Sequence, residues 1–270
     1  METILITGCS SGIGLETALY LQSHGFRVFA TARDEKDVEK LKELSFEAFR
    51  LDVTNKENIT QVISEILKLT GGTLDAVFNN AGFGQPGALE DISTEALKYQ
   101  FETNVFGLHE VTIQVLDIMK AQGYGRIIQH SSVVGLVALR LRGAYVASKY
   151  AVEGLTDTLR QELFGTNIDV TLLNTGPITS DFRINAMKNL VNNVDIENSR
   201  FAPLYQKSIK ADKSTVPFNL PAIAVAKTVE KILKTKKVKP RYYITTATLI
   251  LGTLKRLLST KQLDKILLKI

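Results

Sequence analysis

The sequence predicts an α/β fold, a single Rossmann-type doubly wound parallel sheet with helices on both faces. Short β-branched apolar runs alternate with longer stretches of helical period from the first residues onward. The first run, residues 3–7, is uncharged and almost wholly apolar, as a strand covered on both faces is. It leads straight into a glycine-rich turn and a helix, the βα order of a doubly wound sheet. The 270 residues, 44% hydrophobic and 23% charged, provide for one large core, so residues 1–270 are expected to form one domain.

Taken in order, residues 3–7 are the first strand and 12–24 the first helix, closed by Gly25. Residues 27–32 form the second strand, followed by a helix over 35–44 behind an Asp34 cap. Residues 46–51 are the third strand. Thr54 and Glu57 then read as a capping box opening a helix through Leu69, and 74–78 is strand four. One long helical pattern covers 95–122. Residues 125–130 are strand five, 145–164 a helix and 168–173 strand six. Residues 180–216 break this rhythm, because Asn185, Asn189, Asn192, Asn193, Asn198 and several charges interrupt any clean period. A long irregular insert in a compact domain is usually functional, so a substrate lid is expected there. Pro221 opens a helix through Leu233, and 242–245 is an edge strand.

The net charge of +5 conceals an asymmetry. Residues 226–270 hold 12 Lys or Arg against Glu230 and Asp264, a net +10, which leaves −5 for the rest. A basic end can bind nucleic acid or anionic lipid, but a solvated face is the simpler reading, and no nucleic-acid partner is expected. Within 246–270, the amphipathic basic C-terminal extension, Leu254, Leu257, Leu258, Leu263, Ile266, Leu267 and Ile270 recur at helical spacing. Two short helices that pack on the body or cover the substrate cleft are expected, with peripheral membrane contact as the alternative. Cys9 is the only cysteine, which excludes an intramolecular disulfide and suits a reducing, cytoplasmic setting. The run after Met1 is too short for an export signal, and the uncharged stretch 242–254 is too short to span a bilayer. His24, His109 and His130 are not spaced as ligands on one helix, so no metal is predicted.

The chemistry lies at the strand ends. After the first strand come Gly8, Cys9, Ser10, Ser11, Gly12, Ile13 and Gly14. Glycines let a backbone approach a ligand closely, and the following helix start offers free N–H groups and a positive dipole end to a pyrophosphate. An acidic residue ending strand two would bind ribose hydroxyls and repel a 2′-phosphate. Here Ala32 and Arg33 stand there instead, which favours NADP through charge-assisted contacts from Arg33. Asn79, Asn80, Ala81 and Gly82 follow strand four, where ligands of open α/β sheets sit. Ser131 and Ser132 follow strand five, and Tyr145 and Lys149 share a helix face at i and i+4. An ammonium and the positive nicotinamide ring beside a phenol favour the phenolate, so the Tyr145 pKa is expected below its usual value near 10. Tyr145 could then exchange a proton with a substrate oxygen held by Ser132.

The ordered set resembles the short-chain dehydrogenase/reductase family, whose motifs are T-G-x-x-x-G-x-G, N-N-A-G, an Asn on the following helix, a Ser thirteen residues before Tyr, and Y-x-x-x-K. The resemblance covers at least residues 3–180 and implies a dinucleotide-binding catalytic domain. It assigns Tyr145 as the acid/base, Lys149 as its pKa-lowering partner and ribose binder, and Ser132 as the substrate positioner. Asn104 would hold a relay water, and Asp52 with Val53 the adenine. Gly8, Ser10, Ser11, Gly12, Ile13, Gly14, Asn79, Ala81 and Gly82 would line the cofactor, and Ile178 and Thr179 its carboxamide end. One departure is Thr175 before Gly176, where the family usually has proline. The phrases over residues 6–14, 78–84 and 143–151 are also similar to bacterial NADP-dependent aldehyde reductases and retinol or 17β-hydroxysteroid dehydrogenase-like members. That likeness implies reduction of an aldehyde or ketone on a small hydrophobic frame, in a homodimer or homotetramer. The alternatives are a retinol- or steroid-type alcohol dehydrogenase and a non-catalytic NADP-binding regulator.

Overall fold

The computed structural model describes residues 2–210 and 217–270. Strand β1 (Thr3–Ile6) pairs in parallel with β2 (Arg27–Ala32) on one side and β4 (Ala76–Asn79) on the other. Outward from these lie β3 (Glu47–Arg50) beyond β2, and β5 (Gly125–Ser132), β6 (Ile168–Thr175) and β9 (Arg241–Tyr243) beyond β4. The sheet order is β3-β2-β1-β4-β5-β6-β9, with all seven strands parallel. Their carboxyl ends therefore share one edge, and the order reverses between β1 and β4, which opens a crevice there.

Alternation along the strands divides the core into two layers. Ile4, Ile6, Val28, Ala30, Phe78 and Leu173 face α1 (Gly12–Ser23), α2 (Glu35–Glu43) and α9 (Ile223–Lys234). Leu5, Phe29, Val77, Ile127 and Val170 face α3 (Lys56–Thr70) and α5 (Leu108–Gln122). Each fully buried Leu or Ile contributes roughly 1.5–3 kcal/mol, and neither face of β1 can be exposed without losing several of them.

Several boundaries differ from the sequence reading. The α3 cap is Asn55, whose side chain accepts from Asn58 N, while the Thr54 hydroxyl donates to Asp52 Oδ1 at 2.7 Å. The carboxylate of Asp52 is thus the stronger attraction, and the Thr54–Glu57 capping box does not form. Asp34 occupies the cap position of α2 without a side-chain capping bond. The 95–122 pattern is one continuous helical path, from α4 (Thr94–Phe101) through a π-helical segment Glu102–Gly107 into α5. Gly107 permits this local widening to sit against the loop after β3, since a Cβ there would lie 2.5 Å from Val53 O.

The expected irregular lid contains two helices, α7 (Phe182–Asn193) and α8 (Ala202–Lys210), with residues 211–216 outside the described residues. Leu190, Val194 and Tyr205 bury themselves against Ala88, so tertiary packing stabilises helices whose asparagines obscure any amphipathic period. Leu220–Pro221 is not a helix start but strand β8, paired in parallel with β7 (Ile178–Thr179). The edge strand begins earlier than expected, at Arg241, whose guanidinium pairs with Glu153 and Asp157. The C-terminal helices α10 (Thr246–Leu257) and α11 (Thr260–Leu267) pack Leu251, Leu254, Leu258, Leu263 and Leu267 on Val133, Val134, Val137 and the Tyr145–Val146 pair. The tail therefore covers the body of the protein, leaving Leu249, Leu257, Leu268 and Ile270 exposed. No helix among the described residues is long and apolar enough to cross a membrane.

Candidate active site

At the common edge, the glycine turn occupies the end of β1. Gly8 takes φ +73° and Gly12 φ +59°, both in the left-handed region. Gly14 has an ordinary helical backbone but no room for a side chain. A Cβ there would lie 2.2 Å from Gly8 O and 2.6 Å from Asn80 Nδ2. Ser11 caps α1 without a side-chain bond to the helix, and no acidic residue lies in the first turn. The N–H groups and positive end of α1 therefore have no anionic side chain to neutralise them locally, which fits a pyrophosphate.

Arg33 follows β2 with its side chain largely exposed; it donates to Tyr99 Oη at 3.2 Å and lies 3.9 Å from Asp34. The sequence reading missed Arg50, which ends β3 opposite Ala32 and donates to Arg33 O at 3.2 Å. Asp52 follows β3, with one carboxylate oxygen engaged by Thr54. Of the Asn79–Gly82 group, Asn79 is turned into the core, where its Nδ2 donates to Thr112 Oγ1 and Gln129 Oε1, both at 3.0 Å. Its side chain therefore does not face the crevice, which leaves the main chain of Asn79 for the expected cofactor contact. The neighbouring Asn80 holds the turn instead, donating from Nδ2 to Thr7 O at 2.9 Å and Gly8 O at 3.0 Å. Alternation along the strand was the available signal, since only one of two consecutive asparagines can face each way. Ala81 N donates to Thr7 Oγ1 at 2.9 Å, and Gly82 lies against Asn104, 3.0 Å from Oδ1 to a Cβ built at Gly82.

Asn104 sits in the π-helical segment and is buried. Its Oδ1 accepts from Phe83 N at 3.0 Å, and its Nδ2 donates to Phe83 O at 2.9 Å and Ser148 Oγ at 3.2 Å. The amide is thus committed to protein atoms and clamps the loop after β4; it is not free to hold a relay water with its side chain. π-Helical widenings are frequent at functional sites because they re-aim such a residue.

Ser131 and Ser132 separate cleanly. Ser131 is fully buried and donates to Glu153, whereas the Ser132 hydroxyl accepts from Val134 N at 3.4 Å and lies near enough to the Tyr145 phenol to oppose its rise in pKa. Tyr145 and Lys149 project from α6 (Gly143–Glu162), with Lys149 Nζ 5.8 Å from the Tyr145 ring centroid. The phenol keeps some solvent access, yet desolvation by the dense surroundings pushes its pKa up to about 12, opposed by Ser132 and the Arg142 charge. In the chain itself burial is the larger influence on this phenol. The Lys149 ammonium is committed to His130 O at 2.7 Å and is itself brought down to about 8 by burial, with Glu153 opposing. Ile178 is buried in β7 and the Thr179 hydroxyl accepts from Asn219 Nδ2 at 2.6 Å. In place of the family's usual proline, the Thr175 hydroxyl meets His130 Nε2 at 3.1 Å.

His130 is a residue the sequence reading passed over. Its Nδ1 faces Asn80 Oδ1 at 3.0 Å, and its main-chain carbonyl receives Lys149. It therefore links the glycine turn to the Tyr145–Lys149 pair. Burial, reinforced by the Lys149 charge, lowers its pKa to about 3. The unfolded chain takes up a proton near pH 6.5 and the folded protein does not, so stability falls as pH drops from 6.5 towards 3. The full difference is of order 5 kcal/mol. Denaturant titrations between pH 7 and 4 should show a clearly shallower loss for His130→Gln than for the wild type; equal slopes would reject this account of the imidazole.

Comparison with known proteins bears on the family and the fold. Residues 2–220 match the family model described as short chain dehydrogenase. The chain is 40% identical over 266 residues to the uncharacterized oxidoreductase YbbO of Escherichia coli strain K12, covering 98% of this chain and 94% of that protein. It is 38% identical over 191 residues to human retinol dehydrogenase 8, covering 67% of this chain and 60% of that protein. Among solved structures, a short chain dehydrogenase/reductase from Burkholderia phymatum in complex with NAD superposes with a TM-score of 0.76 at 28% identity, covering 94% and 92% of the two chains. ElxO with NADP bound gives 0.74 at 25% identity, covering 92% and 99%. With its seven-stranded parallel sheet, helices on both faces and a family match over most of its length, the chain belongs to the short-chain dehydrogenase/reductase family of oxidoreductases.

Proposed function

We propose that the protein is an NADP(H)-dependent carbonyl reductase acting on hydrophobic aldehydes or ketones, with Tyr145 as the proton donor. The observation that carries this reading is the gathering of Ser132, Tyr145 and Lys149, with Lys149 Nζ 5.8 Å from the Tyr145 ring centroid, at the strand edge that also holds the glycine turn. Reduction needs a protonated donor, and a phenol is protonated at neutral pH. The glycine turn at Gly8–Gly14 and the uncompensated start of α1 fit a dinucleotide pyrophosphate, and Ala32, Arg33 and the nearby Arg50 fit a 2′-phosphate better than a bare ribose.

NADPH, when bound, supplies the hydride for the carbonyl carbon. The chain's own residues orient and protonate. Ser132 donates a hydrogen bond to the carbonyl oxygen, and Tyr145 delivers its proton to the same atom as negative charge develops there. Lys149, with its pKa near 8, is protonated for most molecules at neutral pH and favours the charge left on the phenolate. Asn104 fixes the Phe83 backbone and Ser148, so its contribution is to the shape of the site. Phe182, whose ring lies 5.3 Å from that of Tyr145, and the apolar cluster of α10 and α11 give the reacting centre a hydrophobic wall, which supports an apolar substrate frame. Exposed Phe106, Tyr150 and Leu155 on the two long helices support a homodimer or homotetramer.

The test is a cofactor and carbonyl screen following nicotinamide oxidation. NADPH should be preferred to NADH in kcat/KM, and Arg33→Ala should reduce that preference by about tenfold or more, the worth of a charge-assisted phosphate contact. No oxidation of either cofactor by any aldehyde or ketone would reject the reductase reading. An unchanged preference in Arg33→Ala would reject the phosphate assignment alone.

A further inference from the structure

Glu153 is a buried acid one turn beyond Lys149 on α6. Three donors converge on its carboxylate. The Ser131 hydroxyl and Asn174 Nδ2, the latter at 2.6 Å, donate to Oε1, and Arg241 Nε donates to Oε2 at 3.0 Å. They come from three adjacent strands, β5, β6 and β9. Such a set suits a charged carboxylate. Gly135 leaves room for the first contact, since a Cβ there would lie 2.7 Å from Ser131 Oγ and 3.1 Å from Glu153 Oε1. A buried ion pair adds little to stability over a well-packed apolar pair, so the worth of this one is sought in what it touches.

It reaches two parts of the proton machinery. Lys149 and Glu153 share a face of α6 at i and i+4, and both are buried. They bond to consecutive residues of β5, Lys149 Nζ to His130 O at 2.7 Å and Glu153 to the Ser131 hydroxyl. Ammonium and carboxylate are thus anchored side by side on one strand end. Asn174 Nδ2 donates to Glu153 Oε1 and also, at 3.4 Å, to Ser132 O, which ties the carboxylate to the main chain of the serine near Tyr145.

Other charges leave the Lys149 ammonium largely to Glu153. His130 on β5 is neutral at the working pH, because burial lowers its pKa to about 3. Glu95 and Lys98 on α4, Glu102 in the π-helical segment, Arg142 and Tyr150 on either side of Tyr145, and Lys255, Lys261 and Lys265 of the C-terminal helices are exposed. Arg126 and Asp169 pair at the opposite end of β5 and β6. Asp157, one turn further along α6, pairs with Arg160 and with Arg241.

We infer that Glu153 is a positioning residue for the reduction: its charge acts on the Lys149 ammonium, its hydrogen bond to Asn174 steadies the Ser132 backbone, and Arg241 on the edge strand holds it and offsets its charge. This rests on the reductase reading of the site. Tyr145 remains the proton donor, and Glu153 acts only through its neighbours.

The full chain, saturated with NADPH, is followed with a long-chain aldehyde between about pH 6 and 10. The wild-type kcat should fall as pH rises through the Lys149 pKa near 8, where the ammonium is lost. Glu153→Gln keeps the side-chain length and an acceptor but removes the charge. Its fall should come about one pH unit earlier, because an ammonium without its anion loses its proton more readily. In Arg241→Gln the fall should come later, because the cation that offsets Glu153 is gone. Glu153→Asp should return the midpoint towards wild type, and the aldehyde KM should stay within a few-fold throughout. A damaged fold gives no reason for shifts of opposite sign. Midpoints that stay put, or that move the same way in the two Gln variants, overturn the proposal. If Glu153→Gln does not fold, Arg241→Gln decides alone, and an unmoved or earlier midpoint overturns it. If the wild type reduces no carbonyl compound, the reductase reading is what fails. The Lys149 titration is then read by NMR of the NADPH-saturated, ¹³C-lysine-labelled proteins, where equal values in wild type and variants overturn the action of Glu153 on Lys149.

Discussion

Gly14→Ala is expected to abolish measurable dinucleotide binding and to lower stability together. The new methyl carbon would sit 2.2 Å from Gly8 O and 2.6 Å from Asn80 Nδ2. The first of these is backbone, so no rotamer change can clear it, and the whole turn between β1 and α1 has to shift. Overpacking of this kind costs about 1–3 kcal/mol. It also separates Asn80 from the Thr7 and Gly8 carbonyls that it holds, moving the N–H groups offered to the pyrophosphate. Calorimetric titration with NADPH and urea denaturation measure the two effects. Gly154→Ala is the contrasting case, because an added Cβ there meets nothing within 4 Å. On α6 it should be neutral or raise stability by up to about 1 kcal/mol through helix propensity.

Tyr145→Phe should lower kcat for carbonyl reduction by roughly 10²–10⁴-fold, the usual range for losing a positioned proton donor. Phenylalanine fills the same volume against Phe182 and the α10–α11 cluster, so far-UV circular dichroism and the unfolding midpoint should change little. Removing a desolvated hydroxyl whose pKa stands near 12 gives the fold no reason to weaken. A kcat within a few-fold of wild type would mean that the proton comes from elsewhere, with solvent reaching the carbonyl oxygen directly.

The layered sheet was legible because its signals are local. Apolar runs such as Ile4–Leu5–Ile6 bury both faces, and helices such as α3 and α9 carry a recognisable stripe. The site was legible for the same reason: parallel strands deliver every post-strand motif to one edge. What escaped the sequence depended on three-dimensional competition. Thr54 lost its capping role because Asp52, two residues earlier, holds its hydroxyl more strongly. Two lid helices were invisible because Leu190, Val194 and Tyr205 find their partners only in the folded chain. The Tyr145–Lys149 spacing correctly placed both residues on one helix face but did not show the burial that pushes the phenol pKa up in the chain itself. Spacing carries no information on burial, nor on the His130 carbonyl that occupies the ammonium. His130 and Glu153 carry no motif and are visible only through their neighbours.

The account stands on Tyr145 giving its proton to a carbonyl oxygen while NADPH is consumed. A single-turnover experiment reads this directly: the wild-type protein is saturated with one equivalent of NADPH, a long-chain aldehyde is added, and NADPH loss and alcohol formation are followed together. One alcohol for each NADPH lost, at a rate that collapses in Tyr145→Phe, is the expected result. NADPH that binds and remains unoxidised in the presence of every carbonyl compound offered would contradict it.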